Sequence, residues 1–345
     1  MERASHPLGP LRIGAHMWAL LTTLATFGLL CSGGIVTSKG VGMAVPDWPT
    51  TYGYNMFLFP IDRWVGGIFY EHAHRLVASG VGLMTLILAV WLLVVETRRW
   101  VKVLGIAAFV AVCLQGVLGG LRVTLYKDEI GIFHALLAQS FFCALAILSI
   151  VTSPRFVLGR WDVFAPDGRL RAWVVATTVL IFVQLGLGAT MRHEHAGLAI
   201  PDFPLAYGSI VPDTSAAAIK AINAERKEAG DMPTNALFIW IQMTHRFLAV
   251  VILAGVVHVA ARAWKTSSDR SIRAWAALWM VMVFAQAVLG AWTIWSQKAA
   301  DVATSHMALG ALSLMVGVLL SFRLLRAANL SRVWAPEHTS VAGFA

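Results

Sequence analysis

The sequence predicts an all-α integral membrane protein whose eight transmembrane helices form two tandem, pseudo-symmetric four-helix bundles. Three observations support this class: an apolar composition, eight long apolar runs and an internal repeat. Of the 345 residues, 58% are hydrophobic and 13% are charged, whereas a soluble domain carries about 25% charged residues. The net charge of +9 comes from short basic clusters between apolar runs. We therefore expect a lipid bilayer, and no nucleic acid, around the chain.

Each apolar run is long enough to cross the hydrocarbon core of a bilayer, which takes about 20 helical residues. The predicted spans are Met17–Thr37, Leu76–Val95, Val101–Val123, Ile132–Thr152, Ala172–Met191, Ala236–Ala261, Ala274–Trp295 and Ser305–Leu325.

The basic residues predict the orientation of these spans, because cytoplasmic segments carry an excess of Lys and Arg. With the N-terminus inside, the inner segments hold 16 of the 27 basic residues. Two of the outer ones, Arg75 and Arg246, directly follow a histidine. We expect both termini in the cytoplasm.

A repeat relates the first half of the chain to the second half. Four segments match in order: 43–49 with 198–204, 74–76 with 245–247, 115–119 with 286–290, and 134–136 with 306–308. The second half also has an insertion, about residues 209–234, in which Ala216–Ile222 predicts a short surface helix. The expected domains are residues 1–153, a cytoplasmic linker 154–171, residues 172–326 and a cytoplasmic tail 327–345.

Four histidines occupy matching places in this repeat: His74, His134, His245 and His306. Within each half, the two predicted helices that carry them run in the same direction, so the two imidazoles lie at similar depth. One histidine at a helix end is usually an interfacial or core residue, but four in duplicated register favour ligands. Paired imidazoles on facing helices of a bundle commonly hold haem.

Neighbouring residues suit a haem site. Arg75 and Arg246 lie beside the histidines and can pair with haem propionates. Small residues give clearance for a flat macrocycle; the candidates are Gly80, Gly82, Gly119, Gly120, Gly290 and Gly310.

The two halves also differ. Glu71 aligns with Gln242, so only the first half has a carboxyl group one helical turn before its histidine. Such a group can move protons or stabilise a developing positive charge, and a structural salt bridge to Arg75 is equally consistent with the spacing. Arg122 aligns with Thr293.

Four further features stay open at this stage. The repeated Pro-Asp-aromatic-Pro loops either cap the bundles or, through Asp47, take part in proton exit or in lid action over the haem. His72 aligns with Met243, so we expect it beside the macrocycle rather than on its iron. We expect His193 and His195 in a solvated loop, with metal binding as the alternative.

These motifs resemble the haem A synthase family of bacterial and mitochondrial cytochrome c oxidase assembly. The resemblance covers Gly14 to Arg326 and rests on Glu71-x-x-His74-Arg75, His134, Thr244-His245-Arg246, His306 and the twin Pro-Asp-aromatic-Pro loops. All three cysteines lie in apolar runs. The resemblance is therefore to a branch without the loop cysteine pair of many bacterial members, which excludes a thiol-dependent electron route.

The resemblance implies an oxidoreductase that converts the C8 methyl group of haem O to a formyl group by successive hydroxylations, giving haem A. It implies that His245 and His306 hold a resident haem b, that His74 and His134 bind the substrate haem, and that Glu71 is catalytic. A haem O synthase (protohaem farnesyltransferase) would supply the substrate, and the product would pass to the cytochrome c oxidase assembly machinery.

Two other classes fit part of the pattern. A dihaem b-type, quinol-linked electron carrier explains the four histidines but gives Glu71 only a charge-pairing role. A transporter with internal repeats is a third class, although broken helices near mid-membrane are not evident. The sequence leaves open the electron acceptor, the source of the inserted oxygen and the oligomeric state, a homo-oligomer included.

Overall fold

A computed structural model describes residues 9–159, 161 and 167–334. Their secondary structure is helical, and the described residues contain no β-strand beyond two isolated bridges in the outer loops. The α-helices are α1 (Pro10–Ser38), α2 (Gly66–Val95), α3 (Arg99–Thr124), α4 (Ile130–Thr152), α5 (Pro154–Val157), α6 (Gly168–His193), α7 (Ala216–Glu228), α8 (Ala236–Thr266), α9 (Arg270–Trp295) and α10 (Ala300–Trp334).

Eight of these helices are long and apolar enough to cross a membrane: α1 to α4, α6, and α8 to α10. This confirms the predicted all-α membrane class and the predicted number of spans. Parts of two predicted segments, the linker at residues 160 and 162–166 and the tail at residues 335–345, lie outside the described residues. The described part of that tail, to Trp334, continues α10 as a helix.

Seven of the eight long helices begin earlier than the apolar runs predict, whereas α8 begins at the predicted residue, Ala236. α2 starts at Gly66, ahead of the predicted Leu76, so the polar residues around Glu71 are helical. α8 is fixed at its start by Asn235, whose side chain accepts a hydrogen bond from the amide of Phe238. Hydropathy alone does not detect polar helical turns. The four histidines lie about one to three turns inside their helices rather than at the ends.

The long helices pack in two groups. α1, α2, α3 and α4 each contact two neighbours in a closed ring, and α6, α8, α9 and α10 do the same. One apolar core, which includes Leu88 and Leu145, fills the first group, and another, which includes Val256 and Trp279, fills the second. α1 and α4 contact α10, and α4 also contacts α6. These contacts are consistent with the predicted pair of four-helix bundles.

The insertion in the second half contains the predicted surface helix. It is α7, which runs further than expected, from Ala216 to Glu228, and starts at a Ser215 cap that accepts from the amide of Ala218. None of its residues is buried. The prediction of a surface helix in this insertion is confirmed.

Candidate functional site

Each of the four repeated histidines faces a glycine on a neighbouring helix. A Cβ added to the glycine would lie 3.0 to 3.4 Å from Cε1 of the imidazole, so even an alanine at the position would touch the ring. The pairs are Gly33 with His74, Gly119 with His134, Gly188 with His245, and Gly290 with His306. Each half therefore repeats one arrangement, in which two imidazoles lie against two small-residue helix faces.

Only some of the predicted clearance glycines take part in it. Gly119 and Gly290 face the histidines, while a Cβ on Gly120 would overlap the Trp48 ring of the outer loop. Gly80 and Gly82 have nothing within 4 Å of an added Cβ. The repeat could have identified the missed pair, because Gly33 and Gly188 stand at the loop offset of 155 residues.

Hydrogen bonds orient the imidazoles of two of these histidines. Nδ1 of His74 lies 3.2 Å from Oγ of Ser32, and Nδ1 of His306 lies 3.1 Å from the carbonyl oxygen of Gln286. The second bond requires Nδ1 to donate, which leaves Nε2 of His306 as the ring's acceptor, 3.5 Å from the side-chain nitrogen of Gln286. A histidine in that tautomer presents Nε2 to a metal.

The other two histidines have orphaned ring nitrogens. Within the described part of the chain, Nδ1 of His134 and Nδ1 of His245 are buried without a hydrogen-bond partner. All four residues are nonetheless partly exposed as a whole. Imidazoles with incomplete hydrogen bonding, set against glycine faces inside an apolar bundle, fit a haem with two axial histidines in each half.

Glutamines hold the backbone beside three of the histidines. Gln115 donates to the carbonyl of His134 at 2.9 Å, and its repeat partner Gln286 donates to the carbonyl of His306 at 2.8 Å. In the second half alone, Gln184 donates to the carbonyl of His245 at 2.8 Å. These bonds fix where the helix faces that carry the histidines lie.

The outer loop of the first half is held by Asp47. Its carboxylate accepts from the amides of Tyr52 at 2.7 Å and Gly53 at 2.8 Å, and from the Thr50 hydroxyl. Burial raises the pKa of Asp47, but these hydrogen bonds together hold it below its usual value. The Tyr52 hydroxyl closes the loop on the carbonyl of Ala44 at 2.6 Å.

The second outer loop has the same fold. Asp202 accepts from the amides of Tyr207 at 2.8 Å and Gly208 at 3.0 Å, and the Tyr207 hydroxyl donates to the carbonyl of Ala199. Trp48–Pro49 and Phe203–Pro204 are both cis. Asp47 and Asp202 thus accept from the two matching loop amides, and Asp47 accepts in addition from the Thr50 hydroxyl.

Arg75 and Arg246 also hold these loops. Arg75 donates to the carbonyl of Asp47 at 2.6 Å and to that of Thr50 at 3.2 Å. Arg246 donates to the corresponding carbonyls, Asp202 at 2.7 Å and Leu205 at 2.9 Å. The terminal nitrogens of both guanidinium groups are thus engaged with loop backbone.

The aligned residues Glu71 and Gln242 also hold the two loops, by chemically different hydrogen bonds; we call Arg75 with Glu71, and Arg246 with Gln242, the loop clamps. Glu71 is 4% exposed; it accepts from the amide of Val45 at 2.8 Å and from Arg75 at 2.7 Å. Gln242 accepts from the amide of Ile200 at 2.7 Å and donates to the same residue's carbonyl at 3.1 Å. In the first half, Arg75 instead donates to the matching carbonyl, that of Val45, at 2.8 Å.

His72 belongs to the loop core. It is fully buried, and its Nδ1 lies 3.1 Å from the hydroxyl of Thr51. Its ring centroid lies 5.0 Å from that of Phe59 and 4.7 Å from that of Trp64. These contacts place the ring in the packing of the outer cap.

His193 and His195 differ from each other, and the expectation of a solvated loop is wrong for His193. His193 ends α6, is 9% exposed, and fills the space that a Cβ on Gly131 of α4 would need. His195 is exposed, with Nε2 3.7 Å from Asp128. The prediction failed at His193 because loop spacing does not reveal that α4 and α6 touch.

Arg122 lies in this contact between the halves. It donates to Oδ1 of Asp128 at 2.8 Å. Burial raises the pKa of Asp128, but the hydrogen bond and charge of Arg122 outweigh burial and hold it below its usual value. Arg192, which the sequence reasoning passed over, lies on α6 and donates to the carbonyl of Gly34 at 2.9 Å and to the Ser38 hydroxyl of α1.

Comparison with known proteins gives a consistent result. The family model described as "Cytochrome oxidase assembly protein" (COX15-CtaA) matches residues 59–318. A Heme A synthase of Geobacillus kaustophilus (strain HTA426) is 27% identical over 94% of this chain and 95% of its own length.

Two further relatives have the same printed name. The Heme A synthase of Geobacillus thermodenitrificans is 25% identical over 91% of this chain and 92% of its own length. That of Shouchella clausii (strain KSM-K16) is 26% identical over 70% of this chain and 80% of its own length. The resemblance seen in the motifs is thereby confirmed, and the family match extends over most of the duplicated architecture. The chain belongs to the COX15-CtaA family of cytochrome oxidase assembly proteins.

Proposed function

We propose that this protein is a haem A synthase, an oxidoreductase that converts the C8 methyl group of haem O to a formyl group by successive hydroxylations. Family membership and the relatives named Heme A synthase support the haem substrate class. The observation that carries the proposal is an asymmetry between two matched sites. Both halves have a glycine-faced histidine pair, but only the first has a buried carboxylate, Glu71, one turn before its histidine.

In this proposal the two pairs have different occupants. His74 and His134 bind the iron of haem O in the N-terminal bundle, residues 1–153, and so hold the substrate. His245 and His306 hold a resident haem b in the C-terminal bundle, residues 172–326. When bound, haem b supplies one-electron transfer towards an acceptor. The bond between Nδ1 of His306 and the Gln286 carbonyl orients that ring for ligation.

Glu71 is the proposed catalytic group of the first site. Its carboxylate is buried and is held by the amide of Val45 and the guanidinium of Arg75. In a low-dielectric setting a fixed carboxylate can stabilise positive charge that develops on the substrate, or accept a proton. Arg75 and Arg246 act as positioning residues, because they hold the loops that cover the outer ends of the two sites.

The proposed setting follows from the charge distribution. The excess of basic residues on one side supports cytoplasmic positions for both termini and for the residue 154–171 linker. The bacterial relatives support the bacterial inner membrane as the location. The substrate would come from a haem O synthase in the same membrane. The product would go to the cytochrome c oxidase assembly machinery.

Pigment analysis tests the proposal directly. The chain would be expressed in bacterial membranes together with a haem O synthase and purified, and its acid-extracted haems would be separated by chromatography. We expect haem b together with haem O or haem A. Haem b alone, at two per chain with haem O available, would establish the dihaem electron carrier instead. A preparation without haem would refute both functions.

A further inference from the structure

Each histidine pair has one arginine about one helical turn beyond one of its glycines, on the outer side. In the first half Arg122 follows Gly119 by three residues on α3, and in the second half Arg192 follows Gly188 by four residues on α6. Residues three or four apart share a helix face. These two arginines do not correspond in the repeat, because Thr293 aligns with Arg122 and Thr37 aligns with Arg192.

Arg192 lacks an acidic partner. Its two contacts are neutral oxygens, the carbonyl of Gly34 and the hydroxyl of Ser38. Among the described residues, no carboxylate lies within 4.0 Å of its guanidinium. A partly buried cation without a counter-charge is costly, so an anion at this place would offset that cost.

Arg122 has an acidic partner and, in addition, one N–H group that makes no hydrogen bond among the described residues. One terminal nitrogen pairs with Asp128, but its Nε is buried and has no hydrogen-bond partner within residues 9–159, 161 and 167–334. Arg75 differs, since four acceptors surround its terminal nitrogens: three loop carbonyls and Glu71. Arg246 lies between these cases, with two loop carbonyls and an orphaned Nε.

We propose that Arg192 binds the carboxylate side chains of the haem held by His245 and His306, and that Arg122 does so for the haem held by His74 and His134. This assignment rests on the proposed haem function and deepens it. A guanidinium suits the task because its planar donors match a carboxylate. Each site then has its anion-binding arginine on a different helix, so the two haems are oriented differently within matching bundles.

The test compares haem b with its dimethyl ester, in which both carboxylates are uncharged. The full chain with His74→Ala, so that only the second pair titrates, would be prepared without haem and titrated with each pigment by Soret absorbance. We expect this chain to bind haem b more tightly than the ester. Adding Arg192→Gln should lower that preference about tenfold, the worth of one charge-assisted hydrogen bond. Arg192→Lys should keep part of it.

Because both pigments are compared on the same variant, a general loss of fold or affinity cancels from the ratio. Arg246→Gln is the matched control, and we expect it to keep the preference. A preference lost in Arg246→Gln but retained in Arg192→Gln would overturn the assignment. Equal binding of both pigments by the starting chain would overturn it too, while leaving the haem site intact. Binding of neither pigment would overturn the proposed function as well.

Discussion

The two outer loops have the same backbone fold but are held by different chemistry. In the first loop, Glu71 accepts a hydrogen bond from the amide of Val45, and Arg75 donates one to the carbonyl of Val45. In the second loop, Gln242 makes both bonds: it accepts from the amide of Ile200 and donates to the carbonyl of Ile200. A glutamine can donate and accept through one side chain, whereas a carboxylate only accepts. The first half therefore needs two residues for what the second half does with one.

This difference distinguishes a loop-holding role of Glu71 from a chemical role. Since Gln242 holds the second loop without a charge, holding the first loop does not require one either. A buried carboxylate is costly to maintain, and its pairing with Arg75 offsets that cost. The comparison therefore supports a chemical role for Glu71, and variants that exchange features between the halves can test it.

The largest expected effect comes from removing a ligand in each half separately. We expect His245→Ala to lose the resident haem b, with affinity reduced by more than about 100-fold, since losing even a supporting partner of a ligand costs 10–100-fold. His74→Ala should keep haem b and stop haem A formation. Absorbance spectra and extracted haems of the purified variants measure this. Equal loss of haem b from both variants would contradict the assignment of the two sites.

The second prediction replaces Glu71 of the first half with glutamine, the residue found at the matching position 242 of the second half. Glu71→Gln should keep the loop, because a glutamine can accept from the amide of Val45 as Gln242 does from that of Ile200. It should lower haem A formation by about 100-fold or more, the usual contribution of a proton-transfer group. Pigment conversion and thermal unfolding would be measured together, with Gln242→Glu as the matched control. Full activity in Glu71→Gln would leave that carboxylate a structural role only.

A third prediction concerns the contact between the halves. Gly131 of α4 aligns with Ala303 of α10, and Gly131 faces His193 of the other half. Gly131→Ala would push against the His193 ring, and we expect a loss of about 1–3 kcal/mol in the free energy of unfolding. Gly80→Ala, where an added Cβ meets nothing within 4 Å, is the control.

Adding His193→Ala to Gly131→Ala should recover most of that loss, because the space opens again. Thermal or denaturant unfolding in detergent measures all three variants. If the double variant were no better than Gly131→Ala alone, the His193 contact would not be the cause.

The smallest expected effect is in the loops themselves. Asp47→Asn should weaken the first outer loop by about 1 kcal/mol, because charge-assisted hydrogen bonds become neutral ones. The pKa of Asp47 is lowered in the folded protein. Its stabilising effect is therefore complete above about pH 4, the usual value for aspartate, and is lost as the pH falls through the lower folded value.

Limited proteolysis of the loop across this pH range measures that effect. The parent chain should become more sensitive below about pH 4, and Asp47→Asn should lack the part of this change that Asp47 causes. An identical pH dependence in both proteins would count against this origin of the loop's stability.

The class, the number of spans and the paired histidines could be predicted because they depend on composition and on a repeat. Hydropathy could not give the start of α2, since the turns around Glu71 are polar yet helical. The spacing of Glu71 and Arg75, four residues apart, was consistent with a salt bridge or with a chemical role for Glu71. The other contacts of Arg75 could not be predicted, because they depend on the path of a loop.

Contacts between the halves were beyond the sequence for a physical reason. The repeat aligns His193 with Ser38, but a repeat describes what two halves share. The burial of His193 against Gly131 arises where α6 meets α4, a contact with no equivalent inside one bundle. Arg192 was missed for the same reason, since its partners Gly34 and Ser38 lie on α1 of the other half.

The contact between His193 and Gly131 has a consequence for the order of biogenesis. Ribosomes make the chain from its N-terminus, so α4 is synthesised before His193. Until α6 arrives, the notch at Gly131 is open at the outer end of α4. The first bundle is thus completed by a residue of the second, and a split protein made as two separate halves would leave that notch unfilled until the halves meet.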